Sequence, residues 1–200
     1  MNESANVIEF WFGDSTDTAS TIAGRQSALW WRKNPAVDAM IAKRFGALVK
    51  TAATGRLHAW AATPEGRLAL ILVTDQFPRN IHRDTPRAFA LDPLARKFCL
   101  EGLDRGDDAG LDPLKRVFFY LPLEHSERAD DQARCVELMR ALARDATDAD
   151  KPVFDDFVEF ALAHQRVIDR FGRFPHRNRI LGRDSTPEEI EFLKQPGSSF

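Results

Sequence analysis

The fold class is decided by one stretch of the sequence, Thr63-Pro64-Glu65-Gly66-Arg67-Leu68-Ala69-Leu70-Ile71-Leu72-Val73. Its last six residues are all apolar, and by periodicity alone they fit either a buried strand or a buried helix. A strand would need partners, and no other segment offers a convincing alternating pattern. The Thr-Pro-Glu start and the Ala and Leu content favour a helix that is buried on all sides. The sequence therefore predicts an all-α protein.

Helix starts of one kind recur on both sides of this stretch. A capping side chain directly precedes a first-turn proline at Asn34-Pro35, Thr63-Pro64, Asp92-Pro93, Asp112-Pro113 and Thr186-Pro187. Apolar residues keep helical spacing from Val37 to Val49, from Val136 to Ala143 and from Phe157 to Phe171. Because neither a linker nor a long-period repeat interrupts this pattern, residues 1–200 are predicted to form a single helical domain.

The composition argues against several classes of protein. With 28 Lys and Arg against 30 Asp and Glu, the net charge of −2 is atypical of proteins that bind nucleic acids or membrane surfaces. No apolar run approaches the ~20 residues of a membrane span, and the N-terminus does not resemble a signal peptide. Cys99 and Cys135 lie outside any Cys-x-x-Cys pattern. We expect a cytoplasmic protein with reduced thiols, and no feature indicates a protein partner.

Common catalytic motifs are absent from the sequence. It contains no P-loop, no Gly-x-Gly-x-x-Gly, no Gly-x-Ser-x-Gly, no His-Glu-x-x-His and no calcium-binding loop. No pair of candidate ligands has the spacing of a metal site on a helix. His164, which lies on an apolar stripe, is expected to be a core histidine. We therefore predict neither a metal nor a cofactor.

Three polar clusters, each beside apolar sequence, are the candidates for a functional site. They are Asp75-Gln76-Phe77-Pro78-Arg79-Asn80, Tyr120-Leu121-Pro122-Leu123-Glu124-His125-Ser126-Glu127 and Arg173-Phe174-Pro175-His176-Arg177-Asn178. Pro78, Pro122 and Pro175 are each expected to interrupt a helix and to leave terminal carbonyl groups without helical partners. On a structural interpretation, arginine and asparagine side chains cap those carbonyl groups and Asp75 pairs with an arginine.

On a functional interpretation, the three clusters meet at one end of the helices and line one concavity. The leading hypothesis is an inter-helical pocket for a small anionic or polar molecule, because guanidinium groups hold carboxylates and phosphates bidentately. The predicted ligand-binding residues are Asp75, Arg79, Asn80, Glu124, His125, Arg173, His176, Arg177 and Asn178.

Two further functions remain open. An acid–base enzyme, a hydrolase or lyase acting on a small acid, would use Glu124 or Asp75 as the base and His125 or His176 as the acid. An interaction scaffold would instead dock the peptide of a partner in a groove between helices.

The motifs also resemble those of a known family. The three clusters, together with Phe10-Trp11-Phe12-Gly13 and Trp30-Trp31-x-Lys33, are similar to the pattern of the bacterial domain-of-unknown-function 924 family, from about Val7 to Leu193. His82 stands where that pattern has an aromatic residue such as Tyr, and Asp84 where it has Gly. The resemblance implies a tetratricopeptide-like bundle of stacked antiparallel helices. It implies no activity, cofactor or catalytic residue.

Overall fold

A computed structural model of the chain describes residues 3–13 and 16–199, which fold into helices joined by short connections. The α-helices are α1 (Glu3–Phe12), α2 (Ala19–Trp31), α3 (Pro35–Ala53), α4 (Pro64–Thr74), α5 (Gln76–Ile81), α6 (Asp92–Arg105), α7 (Pro113–Glu124), α8 (Ala129–Asp145), α9 (Lys151–Phe171), α10 (Asn178–Leu181) and α11 (Pro187–Phe192). Short 3-10 helices occupy His58–Ala62, Pro86–Ala88, Asp107–Gly110 and Pro175–Arg177. The described residues contain no β-strand, and the predicted all-α fold class is confirmed.

The stretch that decided the fold class forms α4, the most deeply buried helix. Thr63 caps it by accepting a hydrogen bond from the Gly66 backbone N–H at 3.1 Å. Every residue from Leu68 to Val73 has 0% relative exposure, because α1, α3, α6 and α7 all pack against this helix. Burial on every side explains why its apolar residues show no helical stripe.

The caps predicted from Asx-Pro and Thr-Pro pairs divide into two groups. Asn34, Thr63 and Thr186 accept backbone hydrogen bonds in the first turns of their helices. Asp92 and Asp112 instead direct their carboxylates to cations, Asp92 to Arg79 at 2.9 Å and Asp112 to Lys115 at 3.1 Å. A carboxylate near a helix N-terminus can either accept hydrogen bonds from the backbone or pair with a cation. Asp92 and Asp112 each have a cation within reach and pair with it.

The three prolines of the polar clusters act differently from one another. Pro78 lies in the first turn of α5, and α4 ends at Thr74, the residue whose carbonyl would clash with the proline ring. Pro175 is the first residue of a 3-10 helix, where its fixed φ is suitable. The prediction that Pro122 interrupts a helix is wrong, because α7 continues through Pro122 to Glu124. Pro122 lies in the last turn of α7, so few backbone hydrogen bonds of the helix are affected by it.

Two apolar clusters hold these helices together. The larger one runs from α1 to α9. A smaller one, formed by Val167, Ile168 and Phe174 with Phe171 and Phe192, attaches the segment after α9. Within the described ranges, no helix is both long and apolar enough to cross a bilayer.

Candidate functional site

The first and third polar clusters meet on a single carboxylate. Arg79, from α5, binds Asp92 at the start of α6 with both of its terminal nitrogens, at 2.9 and 3.0 Å. Arg177, from the 3-10 helix after α9, places its Nη1 3.6 Å from Asp92 Oδ2. Two arginines almost a hundred residues apart in sequence therefore lie side by side. The polar residues around them are called the central cluster below, and they are Asp75, Arg79, Asp92, Glu124, His125, His164 and Arg177.

A carboxylate–imidazole pair lies at the centre of this cluster. Asp75, at the junction of α4 and α5, is fully buried, and its Oδ1 is 2.8 Å from Nδ1 of His125 at the end of α7. Arg79 Nη1 lies 3.2 Å from the same oxygen. An ionised carboxylate only accepts hydrogen bonds, so Nδ1 of His125 must carry the proton. The lone pair of the neutral ring is therefore on Nε2, in a side chain that is 15% exposed.

Charges around the pair fix the protonation states of both members. Burial alone would raise the pKa of Asp75, but the charge of Arg79 and the contact with His125 lower it below its usual range. Burial and Arg79 also lower the pKa of His125, against the opposing effect of Asp75. At neutral pH the pair is thus a carboxylate and a neutral imidazole, which is the arrangement of a histidine general base.

A second acid and a second histidine lie next to the pair. Glu124 precedes His125 in the chain and is buried, and burial together with the charge of Asp75 raises its pKa to about 8. Its Oε1 is 3.4 Å from Nδ1 of His164 on α9. His164 Nδ1 donates to the Phe160 carbonyl at 2.8 Å, and burial lowers the pKa of His164 to about 3. Both groups are therefore neutral near pH 7, so their contact is not an ion pair.

Arg177 is the cation that lies deepest in the central cluster. Its residue exposure is 6%, and its guanidinium lies 4.8 Å from the ring centre of Phe89 and 4.4 Å from that of Phe174. Its Nη1 donates to the His125 carbonyl at 3.0 Å. Burial and the nearby Arg79 lower the pKa of Arg177 to about 10. The guanidinium is thus charged at neutral pH and fixed relative to the backbone of His125.

Several predicted site residues point elsewhere. Asn80 donates to Asp38 on α3 at 2.9 Å. Arg173 binds both carboxylate oxygens of Glu189, at 2.7 and 2.8 Å, and Asn178 donates to Ser185 and Glu189.

The contacts of Arg173 and Asn178 lie within the segment after α9. His176 lies between the two regions, with its ring 5.6 Å from that of Phe174. Burial and Arg177 lower the pKa of His176 to about 4.

Two members of the central cluster and one ring beside it were not among the predicted residues. Asp92 was interpreted as a helix cap, and His164 as a core histidine, which its burial and its bond to Phe160 agree with. Phe89 gave no signal at all. Only a contact map could have placed these residues beside Arg79 and Arg177, because no local pattern connects them.

Two other features of the molecule bear on the choice of site. No three His, Cys, Asp or Glu side chains in residues 3–13 and 16–199 are arranged to hold a metal ion. A depression of about 240 Å³ lies beside α2, α7 and the connection from α8 to α9, and its walls include none of the predicted site residues. Six of the seven ionisable groups of the central cluster have shifted pKa values, and such shifts are typical of functional sites.

The fold and the site define an all-α protein whose helix ends enclose a buried carboxylate–imidazole pair. Residues 7–197 match the model of a family described as bacterial proteins of unknown function, DUF924, and the chain belongs to this family. It is similar to the solved structure of a protein of unknown function, ATU0120, from Agrobacterium tumefaciens. The identity is 36%, the match covers 96% of this chain and 97% of that one, and the TM-score is 0.79. The comparison with curated proteins gives no match.

Proposed function

We propose that this protein is an acid–base enzyme that acts on a small polar molecule, with His125 as the general base. The observation that carries the proposal is the 2.8 Å contact between Asp75 Oδ1 and His125 Nδ1. The carboxylate orients the ring, leaves the lone pair on Nε2 and stabilises the imidazolium that forms when Nε2 accepts a proton. The partial exposure of the His125 side chain supports access by a small substrate.

The roles differ from those that the sequence indicated. Asp75 is an unsuitable base, because its ion pair with Arg79 and its depressed pKa keep it a weak proton acceptor. Glu124, with a pKa of about 8, is protonated at neutral pH and suits the part of the acid. A base and an acid whose pKa values have been moved apart by their surroundings are the usual arrangement for proton transfer near pH 7.

Binding of a small anionic or polar molecule without catalysis is the second candidate. Arg79 and Arg173 weigh against a simple arginine-lined anion pocket, since protein carboxylates already occupy their guanidinium groups. Asn80 and Asn178 are likewise engaged outside the central cluster. The observation that favours binding is Arg177, a buried cation placed against the backbone of the proposed base.

A panel of acid–base reactions tests the catalytic proposal. The wild-type protein and His125→Asn are assayed for hydrolysis of esters, amides and lactones and for dehydration of hydroxy acids. The matched control is His58→Asn, which changes an exposed histidine on a 3-10 helix. We expect His125→Asn to lower kcat/KM by at least about 100-fold and His58→Asn to leave it unchanged. An activity that survives His125→Asn would exclude His125 as the base.

The coupling within the pair can be measured without a substrate. The carboxylate of Asp75 raises the pKa of His125, so Asp75→Asn should lower that pKa further. The measurement is a pH titration of the His125 ring by NMR, with the signal assigned from its absence in His125→Asn. Asp38→Asn, which removes a carboxylate bound to Arg83, is the control. If the His125 pKa is the same in wild type and Asp75→Asn, the proposed pair does not exist in solution.

A further inference from the structure

Three arginines of this chain bind carboxylates through the same edge of the guanidinium group. The edge formed by Nε and Nη2 holds Asp38 in Arg83, at 2.9 and 2.9 Å. The same edge holds Asp131 in Arg96 and Glu189 in Arg173. Two parallel N–H donors match the two oxygens of a carboxylate, so this side-on geometry is the strong form of the interaction.

The corresponding edge of Arg177 has no carboxylate. Its Nε has no hydrogen-bond partner among residues 3–13 and 16–199, and the one hydrogen bond that the guanidinium makes to them comes from Nη1, on the other side. The residue is only 6% exposed, so water does not solvate this edge freely. A buried cationic N–H group without an acceptor is rare in native proteins, and it calls for a missing partner.

The surroundings of Arg177 leave this edge as the place for a partner. The rings of Phe89 and Phe174 lie within 5 Å of the guanidinium carbon and cover it. Nη1 faces the His125 carbonyl and Asp92. Asp92 is held bidentately by Arg79 and does not neutralise Arg177 fully, which agrees with the lowered pKa of Arg177. An anion on the Nε–Nη2 edge would give Nε the acceptor that it lacks and would offset the repulsion between Arg177 and Arg79.

We propose that the Nε–Nη2 edge of Arg177 binds the carboxylate group of a small carboxylic acid, which is the substrate class of the site. This inference rests on the proposed function and deepens it. Since Nη1 of the same guanidinium binds the His125 carbonyl, a carboxylate on the opposite edge is fixed relative to the proposed base. Nε is shielded from solvent, so the acid must displace a neighbouring side chain as it enters.

Titration of the wild-type protein with simple anions tests the proposal. Sodium acetate and sodium malonate are added at constant ionic strength, sodium chloride is the control, and the Nε–H signals of the arginines are followed by NMR. We expect acetate and malonate to shift the Arg177 signal and to raise the melting temperature, and chloride to do neither. If no carboxylate shifts the Arg177 signal, the proposal is wrong. If inorganic phosphate binds more tightly than malonate, the site recognises a phosphate group and the proposed carboxylate class is wrong.

Two substitutions distinguish the effect of the paired N–H donors of Arg177 from the effect of its positive charge. Arg177→Lys keeps a cation but lacks the paired N–H donors, so it should lose the malonate-induced rise in melting temperature. Arg170→Lys, an exposed arginine paired with Glu188, should keep that rise. If Arg177→Lys retains the full malonate response, the proposal fails. The Nε–H titration of the wild type decides the matter even if Arg177→Lys does not fold.

The outcome is independent of whether catalysis is found. His125→Asn should still bind malonate, because Arg177 contacts the backbone of residue 125 and not its side chain. Malonate binding by His125→Asn without any wild-type activity would support the carboxylate site and count against the proposed enzyme. Activity that depends on His125, in a protein whose Arg177 signal ignores every carboxylate, would support the enzyme and overturn the carboxylate site.

Discussion

At the scale of single residues, the protonation state of a buried acid depends on whether a cation contacts it. Asp75 and Glu124 lie in one cluster, and both are buried. Asp75 contacts Arg79 and is held ionised, whereas the main charge acting on Glu124 is that of Asp75 itself. Two carboxyl groups of similar intrinsic acidity therefore differ widely in pKa.

The raised pKa of Glu124 predicts a stability that falls as the pH rises. The folded protein keeps the Glu124 proton up to about pH 8, whereas the unfolded chain releases it near pH 4.3. This contribution to stability is complete below the unfolded pKa and is lost as the pH rises through the folded one. Glu124→Gln keeps the shape of the neutral acid and removes the titration.

Thermal and urea unfolding between pH 5 and pH 9 checks this prediction. Relative to wild type, Glu124→Gln should gain roughly 2 to 4 kcal/mol in the free energy of unfolding over that range. Glu159→Gln, at an exposed position of α9, is the control and should follow the wild type. Parallel curves for wild type and Glu124→Gln would mean that Glu124 is ionised in the folded protein.

Single residues also show which contacts the sequence does not predict. Arg79 directly follows one Phe-Pro pair and Arg173 directly precedes the other, and both were predicted to bind a ligand. Their guanidinium groups are instead taken by Asp92 and Glu189, each more than ten residues away along the chain. The sequence identifies the donors, because a guanidinium fork has one geometry. It does not identify the acceptors, because tertiary packing brings them into reach.

At the scale of secondary structure elements, one carboxylate joins several parts of the segment after α9 to one another. Helix α9 is followed by Gly172, which has a φ of +68°, a conformation that glycine adopts without strain. In the segment that follows, Arg173, Asn178 and the backbone N–H of Thr186 all donate to Glu189. Thr186 in turn caps α11, as its capping-box sequence predicts.

Glu189→Gln should therefore loosen the whole segment after α9. Loss of the charge weakens a bidentate pair and two further hydrogen bonds, so we expect a loss of about 2 kcal/mol in stability. Hydrogen exchange should speed up between residues 173 and 193. The matched control is Glu188→Gln, whose pair with Arg170 is exposed and whose effect should stay within about 0.5 kcal/mol. Equal effects of the two substitutions would contradict this role for Glu189.

Among the elements, α4 was predictable, and the continuation of α7 through Pro122 was not. Helix α4 combines a capping Thr-Pro start with an apolar run, and both signals are local. Pro122 gives an equally local signal for a helix break, yet α7 continues past it to Glu124 and His125. The residues of α7 around Pro122 are almost wholly buried. Their packing therefore outweighs the loss of the backbone hydrogen bond that proline cannot donate.

At the scale of the whole molecule, a buried arginine ties α4 to its surroundings. Arg67 is 3% exposed. Its Nε donates to Asp107 at 2.7 Å, and its other nitrogens donate to the carbonyl groups of Ala61 and Phe98. Three elements around α4 are thereby joined through one side chain, which leaves little freedom for its methylene groups.

Gly102 in α6 lies where the side chains around Arg67 are tightly packed. A methyl group added at Gly102 would overlap the Arg67 side chain and the ring of Phe119, and Arg67 is held by its hydrogen bonds. Gly102→Ala should lower the free energy of unfolding by about 1 to 3 kcal/mol, because overpacking outweighs the gain in helix propensity.

Gly46→Ala in α3 is the matched control, since a methyl group there meets no atom within 4 Å. It should raise the stability by up to about 1 kcal/mol through helix propensity alone. Opposite signs in urea unfolding of the two variants would locate the tight packing at the junction of α4, α6 and α7. A stabilising Gly102→Ala would mean that Arg67 can move aside, and that the centre of the molecule is looser than its burial indicates.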